Sequence, residues 1–233
     1  MEETGDRLDI YVMPDASAEI FVDDAPGPAT YRLFLEKGAC AEVLAVTCDG
    51  RNARTIESHM QGADAHFSFK GLGILSDSEE SRFKVIAHHG APGTVSRQLY
   101  KSILAETAFS EFETKVSVDK NAPRSDSRQL CRNLLLSDNA RAVSKPVLNI
   151  ENDDVSCVHG ATTGPMEESE VFYLRTRGLT ECAAKELLVY GFAGEILESI
   201  KDRVLRKELK SHVQAKLAKI LKVKVEYVDR SCV

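Results

Sequence analysis

The chain has 233 residues, of which 43% are hydrophobic and 28% charged, and its formal net charge is −6. This length suffices for one domain or two small ones, with a core that needs no cross-links. The negative charge argues against general nucleic-acid binding, no apolar run approaches the roughly 20 residues of a transmembrane helix, and the acidic N-terminus resembles neither a signal nor a transit peptide. We therefore expect a cytoplasmic protein with no membrane span and no nucleic-acid partner, whose six cysteines, lacking a C-x-x-C pair, are reduced.

Short strands are predicted along the first two-thirds of the chain. Runs of about four to six β-branched, aromatic and aliphatic residues are each followed by Gly, Asn or Asp, which is typical of strands between turns. Only the segment Val95–Leu104 is instead a candidate for a brief helix. The predicted strands are residues 8–13, 19–22, 31–35, 42–47, 66–69, 83–87, 114–118, 133–136 and 147–150.

Alanine recurs at the predicted turns. Ten of the 23 alanines directly follow Gly, Asn or Asp, and none of these ten lies after Ala161. Gly, Asn and Asp tolerate the left-handed backbone of a tight corner, and alanine is small enough to point inward there. Repeated strand–corner–strand units predict a β-solenoid whose coils stack on one another, with a β-sandwich as the structural alternative.

The composition changes at Pro165, after which three helices are predicted. Acidic residues begin the first helix, Gly178 is placed to end it, and Thr180 is placed to cap the second. The last helix is amphipathic and basic, which indicates a solvated face or a surface for an acidic partner. We therefore predict a β-rich domain, 1–165, and a helical region, 166–233. The predicted helices are 166–177, 181–200 and 204–221, followed by a strand or tail at 223–228.

The segment 151–160 carries the strongest candidate for a metal site. Cys157 and His159 are two residues apart on a predicted strand, so their side chains share a face. Thiolate and imidazole are good ligands for iron or zinc, but two ligands do not complete a site. Asp153 and Asp154 are either further ligands or turn residues. A core histidine with satisfied hydrogen bonds is the alternative interpretation of His159.

Two other polar groups are predicted to be structural. His88 and His89 are adjacent in a predicted strand and therefore face opposite sides, which makes a shared metal ion difficult. The segment 129–133 is expected to form hydrogen-bond ladders between coils through buried amide side chains. No phosphate-binding loop, nucleophile elbow or H-E-x-x-H motif is present, so we expect no bound ATP and no catalytic residue.

Several segments, in one order along the chain, resemble the SufB/SufD family of iron–sulfur cluster assembly scaffolds. The strongest is 153–164, D-D-V-S-C-V-H-G-A-T-T-G, in which Cys157-Val-His-Gly-Ala resembles the Cys-Ser-His-Gly-Ala of the SufD-like branch. The resemblance is clear over residues 83–200. Family members are usually longer, with an N-terminal helical region, so we expect a minimal or shortened member. The other matching segments are 90–104, 133–141, 145–150 and 172–178.

The resemblance implies a mainly β fold, a right-handed parallel β-helix with a C-terminal helical subdomain. It also implies a non-catalytic subunit of the SUF complex, whose region 166–233 docks on the ABC-type ATPase SufC, mainly through 181–200. His159, with Cys157 beside it, would bind iron or a transient iron–sulfur cluster at an interface with a SufB-like subunit or a second copy. Two alternatives are an accessory subunit of another ABC-type ATPase complex and a solenoid carbohydrate-active enzyme, which would need paired carboxylates facing a cleft.

Overall fold

The computed structural model describes residues 6–24 and 29–221, and this part of the chain consists of strands followed by helices. The boundary between two compact units falls between Pro165 and Met166. The strands of the first unit are β1 (Arg7–Val12), β2 (Ser17–Val22), β3 (Thr30–Leu35), β4 (Cys40–Thr47), β5 (Arg51–Met60), β6 (His66–Leu75), β7 (Glu80–His89), β8 (Val95–Leu104), β9 (Phe109–Val118), β10 (Ser125–Leu135), β11 (Arg141–Ile150) and β12 (Val155–Pro165).

The strands form two six-stranded sheets that alternate along the chain. The odd-numbered strands pair in the order β1-β3-β5-β7-β9-β11, and the even-numbered strands in the order β12-β10-β8-β6-β4-β2. Every pairing is parallel, so each consecutive pair of strands makes one coil that stacks on the coil before it. The predicted mainly β fold and solenoid are therefore confirmed, and the β-sandwich alternative is wrong.

Left-handed residues turn the chain at one corner of successive coils, as the alanine pattern predicts. The residue after each of them begins the next strand or directly precedes it, and Ala39 and Ala65 at these positions are fully buried. Ala53 and Ala161 are exceptions because they are exposed on β5 and β12, and Ala25 lies outside the described residues. The corner residues are Asp15, Gly38, Asp64, Gly93 and Arg124, with φ of 57°, 65°, 59°, 71° and 58°.

Aromatic rings from neighbouring coils fill the interior between the two sheets. Tyr100 and Phe112 stack with ring centroids 4.7 Å apart, and Phe69 stacks on Phe112 at 5.9 Å. Gly71 leaves room for this cluster, since a Cβ there would lie 2.6 Å from Cδ2 of Tyr100. Because such rings bury large apolar areas, they are a main source of the solenoid's stability.

The prediction of a helix at Val95–Leu104 is wrong, because this segment is strand β8. Its inward positions carry polar side chains, which hides the alternation that normally indicates a strand. Ser96 donates a hydrogen bond to Ser127 at 2.8 Å, and Ser102 donates to Asn133 at 2.7 Å, so the polar groups are paired with the next coil.

Three helices form the second unit: α1 (Glu168–Thr176), α2 (Glu181–Leu197) and α3 (Arg203–Leu221). The Thr180 hydroxyl accepts a hydrogen bond from the Ala183 amide at 3.2 Å, and Gly178 has a φ of 93°, which confirms both predicted caps. The prediction for residues 223–228 concerns a segment outside the described residues. Within the described part, no helix has the length and apolar character that a membrane crossing requires.

Candidate functional site

Cys157 and His159 lie on β12, the last strand of its sheet. In the parallel register, Cys157 is opposite Ser127 and His159 is opposite Gln129 on β10. Ser127 and Gln129 are buried between the sheets, so the two β12 residues are on the inward side of the last coil. The structure thus confirms that they share a face, and it brings both to one end of the solenoid.

The two side chains differ in burial. Cys157 is half-buried and packs against the core, whereas His159 is exposed. Burial raises the pKa of the Cys157 thiol, and a hydrogen bond with the Ser127 backbone opposes this shift. Because a thiol must lose its proton to bind a metal, iron binding at Cys157 would be favoured by higher pH.

The last coil presents an apolar surface that no further described strand covers. β11 and β12 are terminal in their sheets, so one edge of each lacks a strand partner within the described residues. Ile150 of β11 is 40% exposed, whereas Val118, its register partner one coil below, is 1% exposed. Unpaired edges and uncovered apolar side chains make this end of the solenoid suited to association with another chain.

Asp153 and Asp154 form the turn that precedes β12. The amide of Asp154 donates to the Asn152 side chain at 2.9 Å, and its carbonyl accepts from the Arg124 amide at 2.6 Å. This supports the turn interpretation of these aspartates. Across residues 6–24 and 29–221, the structure contains no group of three or more His, Cys, Asp or Glu side chains arranged to hold a metal ion.

His88 and His89 face opposite sides of β7, as predicted. His88 contacts the Asp119 carboxylate at 3.0 Å, on the outer surface. His89 is fully buried and lies 2.8 Å from the Thr94 hydroxyl and 2.9 Å from the Ser96 hydroxyl. Hydrogen bonds at both ring nitrogens support a structural role for His89.

Burial of His89 makes the stability of the solenoid depend on pH. Loss of hydration lowers the pKa of His89 to about 4, whereas the unfolded histidine titrates near 6.5. Between pH 6.5 and pH 4 the imidazole of His89 is protonated in the unfolded state but not in the folded state. The free energy of unfolding is therefore highest above about pH 6.5 and falls by up to roughly 3 kcal/mol as the pH approaches 4. Urea unfolding at pH 7 and pH 4.5 should show a smaller pH difference for His89→Gln than for the wild type. Equal differences would contradict this prediction.

Buried amides join the last two coils, as the segment 129–133 predicts. Asn133 donates to Ser144 at 3.1 Å and to Thr163 at 2.9 Å, while Gln129 donates to Thr114 at 2.8 Å. The partners Thr114, Ser144 and Thr163 were not predicted from the sequence. The register explains one of these bonds directly, because Thr163 is the register partner of Asn133. Ser144 and Thr114 face inward from the opposite sheet, and Ser144 is the register partner of Phe112, two positions before Thr114.

Comparison with known proteins shows the family to which the chain belongs. A family model described as "SUF system FeS cluster assembly, SufBD core domain" matches residues 21–192. The chain belongs to the SufBD family. Members of this family take part in iron–sulfur cluster assembly, so the sequence resemblance is confirmed.

Individual relatives support membership in the SufBD family. An iron–sulfur cluster assembly SufBD family protein of Synechocystis is 40% identical over 148 residues, which are 64% of this chain and 33% of that protein. The assembly protein SufD of Escherichia coli is 29% identical over 160 residues, 69% of this chain and 38% of SufD. A SufBD family protein of Mycobacterium leprae is 29% identical over 206 residues, 84% and 53% of the two chains. The matches thus span about a third to a half of these relatives.

Proposed function

We propose that this SufBD chain is a non-catalytic scaffold subunit that helps assemble nascent iron–sulfur clusters. In this proposal, His159 and Cys157 bind iron or a transient cluster, and the cluster is cargo that passes to other proteins. The observation that carries the proposal is the position of both side chains on the inward face of the terminal coil of the two sheets. Imidazole and thiolate are suitable donors for iron and for iron–sulfur clusters.

A second subunit supplies the remaining ligands in this proposal. Two side chains from one chain leave an iron or a cluster incompletely coordinated. A SufB-like subunit, or a second copy of this chain, would pack on the apolar end of the solenoid and pair with the free edges of β11 and β12. The stacked, parallel coils hold the backbone at Cys157 and His159 in place, so the partner's ligands meet a strand that is already positioned.

The helical region 166–233 is proposed to dock on an ABC-type ATPase similar to SufC. Phe172 and Tyr173 on α1 and Leu187 on α2 are large and exposed, which is typical of a protein-binding surface. The chain itself would bind no ATP. Nucleotide-driven movements of the ATPase would act on the helices and thereby on the shared cluster site.

The two alternative functions are a carbohydrate-active enzyme and an accessory subunit of another ABC-type ATPase complex, and no contact in the described residues favours either of them. A carbohydrate-active enzyme needs a pair of carboxylates across a cleft, whereas Asp153 and Asp154 are neighbours in one turn. An accessory role with another ABC-type ATPase would use the same helical surface, and the partner present in a co-purification would distinguish the two complexes.

Co-purification with candidate partners tests the proposed complex. The chain would be expressed with a SufB-like subunit and a SufC-like ATPase, isolated without oxygen, and examined by absorbance for a bound cluster. We expect a stable complex that carries a cluster after supply of iron and sulfide. Failure of the chain to enter the complex, or a cluster yield independent of its presence, would contradict the proposal.

A further inference from the structure

We propose that Gln129 is a positioning residue for His159. Its side-chain oxygen would accept a hydrogen bond from the imidazole nitrogen that does not bind iron. This inference rests on the proposed function of His159, but it concerns a second residue, one coil deeper in the solenoid.

The amide of Gln129 has a buried oxygen available for this contact. The side chain is 2% exposed, and its Oε1 has no hydrogen-bond partner in the described part of the chain. Its Nε2 donates to Thr114 at 2.8 Å, and Thr114 in turn donates its hydroxyl proton to Oε1 of Gln98. In this arrangement Thr114 donates to Gln98 and accepts from Gln129, which leaves Nε2 of Gln98 and Oε1 of Gln129 as the buried amide atoms without a hydrogen-bond partner at this level of the described chain.

The last coil offers one side-chain donor at this level. His159 is the register partner of Gln129, on a strand that parallel pairing places about 4.8 Å away. Across the interior, the register partner of Thr114 is Pro146, which has no hydrogen-bond donor. A small cavity beside Gln129 is lined by Pro146, Gly160 and Ala161 and also by the polar residues Ser144 and Lys145 of β11. The Ser144 hydroxyl donates to Cys131 and the Lys145 amine donates to Glu111, so both are engaged with other partners.

This arrangement matches what a metal-binding histidine requires. One ring nitrogen binds the metal, and the other carries a proton that usually meets a carboxylate or carbonyl oxygen. Such an acceptor selects the tautomer and sets the direction of the ring. A rotation of the exposed His159 ring toward the interior would give Gln129 its missing donor and direct the opposite nitrogen toward the open end.

Substitution of Gln129 by methionine tests the inference. Met has similar volume but no acceptor oxygen, and Gln98→Met is a matched control because it removes the same amide one coil further from His159. We expect Gln129→Met to weaken anaerobic binding of iron(II) to the complex of this chain with a SufB-like subunit by roughly 10-fold or more, and Gln129→Glu, which keeps an acceptor, to restore most of it. Gln98→Met leaves Oε1 of Gln129 in place but frees the Thr114 proton, so its iron(II) affinity should fall by less than that of Gln129→Met.

The tautomer of His159 is a second readout, which would not change if Gln129 had only a structural role. Nitrogen-15 NMR of the histidine-labelled chain, with zinc(II) as a diamagnetic probe, should show a single His159 tautomer in the wild type and a mixture in Gln129→Met. An unchanged tautomer ratio would overturn the inference and indicate a buried water as the partner of Gln129. If the variants do not fold, the same measurement on the wild type tests the contact between His159 and Gln129. A His159 ring N–H signal that is protected from exchange with water supports the contact, and a rapidly exchanging signal contradicts it.

Failure of this inference is distinguishable from failure of the proposed function. If His159→Ala binds iron(II) as tightly as the wild type, His159 is not a ligand and the proposed function fails with it. If His159→Ala loses iron(II) but Gln129→Met retains both the affinity and the tautomer, only the positioning role of Gln129 is wrong.

Discussion

Replacement of His159 by alanine should abolish most cluster assembly while leaving the fold intact. Loss of a hydrogen-bond partner of a metal ligand typically lowers metal affinity or activity by roughly 10–100-fold, and loss of the ligand itself should lower cluster assembly by more. His159 is exposed on the last coil, so its removal should change the free energy of unfolding by no more than about 0.5 kcal/mol. Cluster formation would be followed anaerobically in the complex by absorbance, and stability by urea unfolding.

His66→Ala is the matched control for this experiment. His66 is also exposed and also lies on the solenoid, but it belongs to β6, three coils from β12 in the same sheet. We expect this variant to assemble clusters at the wild-type rate. A normal rate for His159→Ala, or an equal loss for both variants, would exclude His159 as a specific ligand.

Replacement of Ile150 by lysine should prevent association at the open end of the solenoid. Ile150 faces inward on the last coil and is 40% exposed, so in the isolated chain the lysine amine can reach solvent. In a complex, the charge would be buried against apolar surface without a counter-ion, which costs several kcal/mol. The dissociation constant for the SufB-like subunit, measured by calorimetry, should therefore rise by about 100-fold or more.

Leu130→Lys distinguishes the end of the solenoid from its side. Leu130 is also 40% exposed, but it lies on the outer face of β10, beside Gly160. Its substitution introduces the same charge at the same exposure and should leave binding unchanged. If Leu130→Lys abolishes binding and Ile150→Lys does not, the partner docks on the side of the solenoid and the proposed interface is wrong.

The corners of the solenoid could be predicted because their chemistry is local. Gly, Asn or Asp followed by Ala favours a left-handed residue with a small inward one after it, and this pair is visible in the sequence at Gly38 and Asp64. Arg124 adopts the same conformation without belonging to those residue types, so its corner could not be predicted from composition. The helical caps at Gly178 and Thr180 were predictable for the same local reason.

Strands with polar interiors were harder to predict. β8 and β5 carry inward Ser, Gln or Asn side chains whose burial depends on partners in neighbouring coils. Ser96 becomes a core residue because Ser127 and His89 lie beside its hydroxyl, at 2.8 and 2.9 Å. Such pairings depend on the register between segments distant in sequence, which a local pattern does not contain.

The candidate site was predictable in part. Alternation along a strand is enough to place Cys157 and His159 on one face. It does not show that the last coil is uncovered, nor that Gln129 lies beneath His159 with a free oxygen. The stacking order shows that β12 is the terminal strand and pairs with β10, and the hydrogen bonds show the free oxygen of Gln129.

Pulsed electron paramagnetic resonance on the assembled complex tests the central claim most directly. The chain would be labelled with nitrogen-15 histidine, combined with an unlabelled SufB-like subunit and ATPase, loaded with iron and sulfide, and reduced. Our account predicts a nitrogen-15 hyperfine coupling to the cluster that disappears in His159→Ala. A cluster that couples to nitrogen only when the partner subunit is labelled would contradict it.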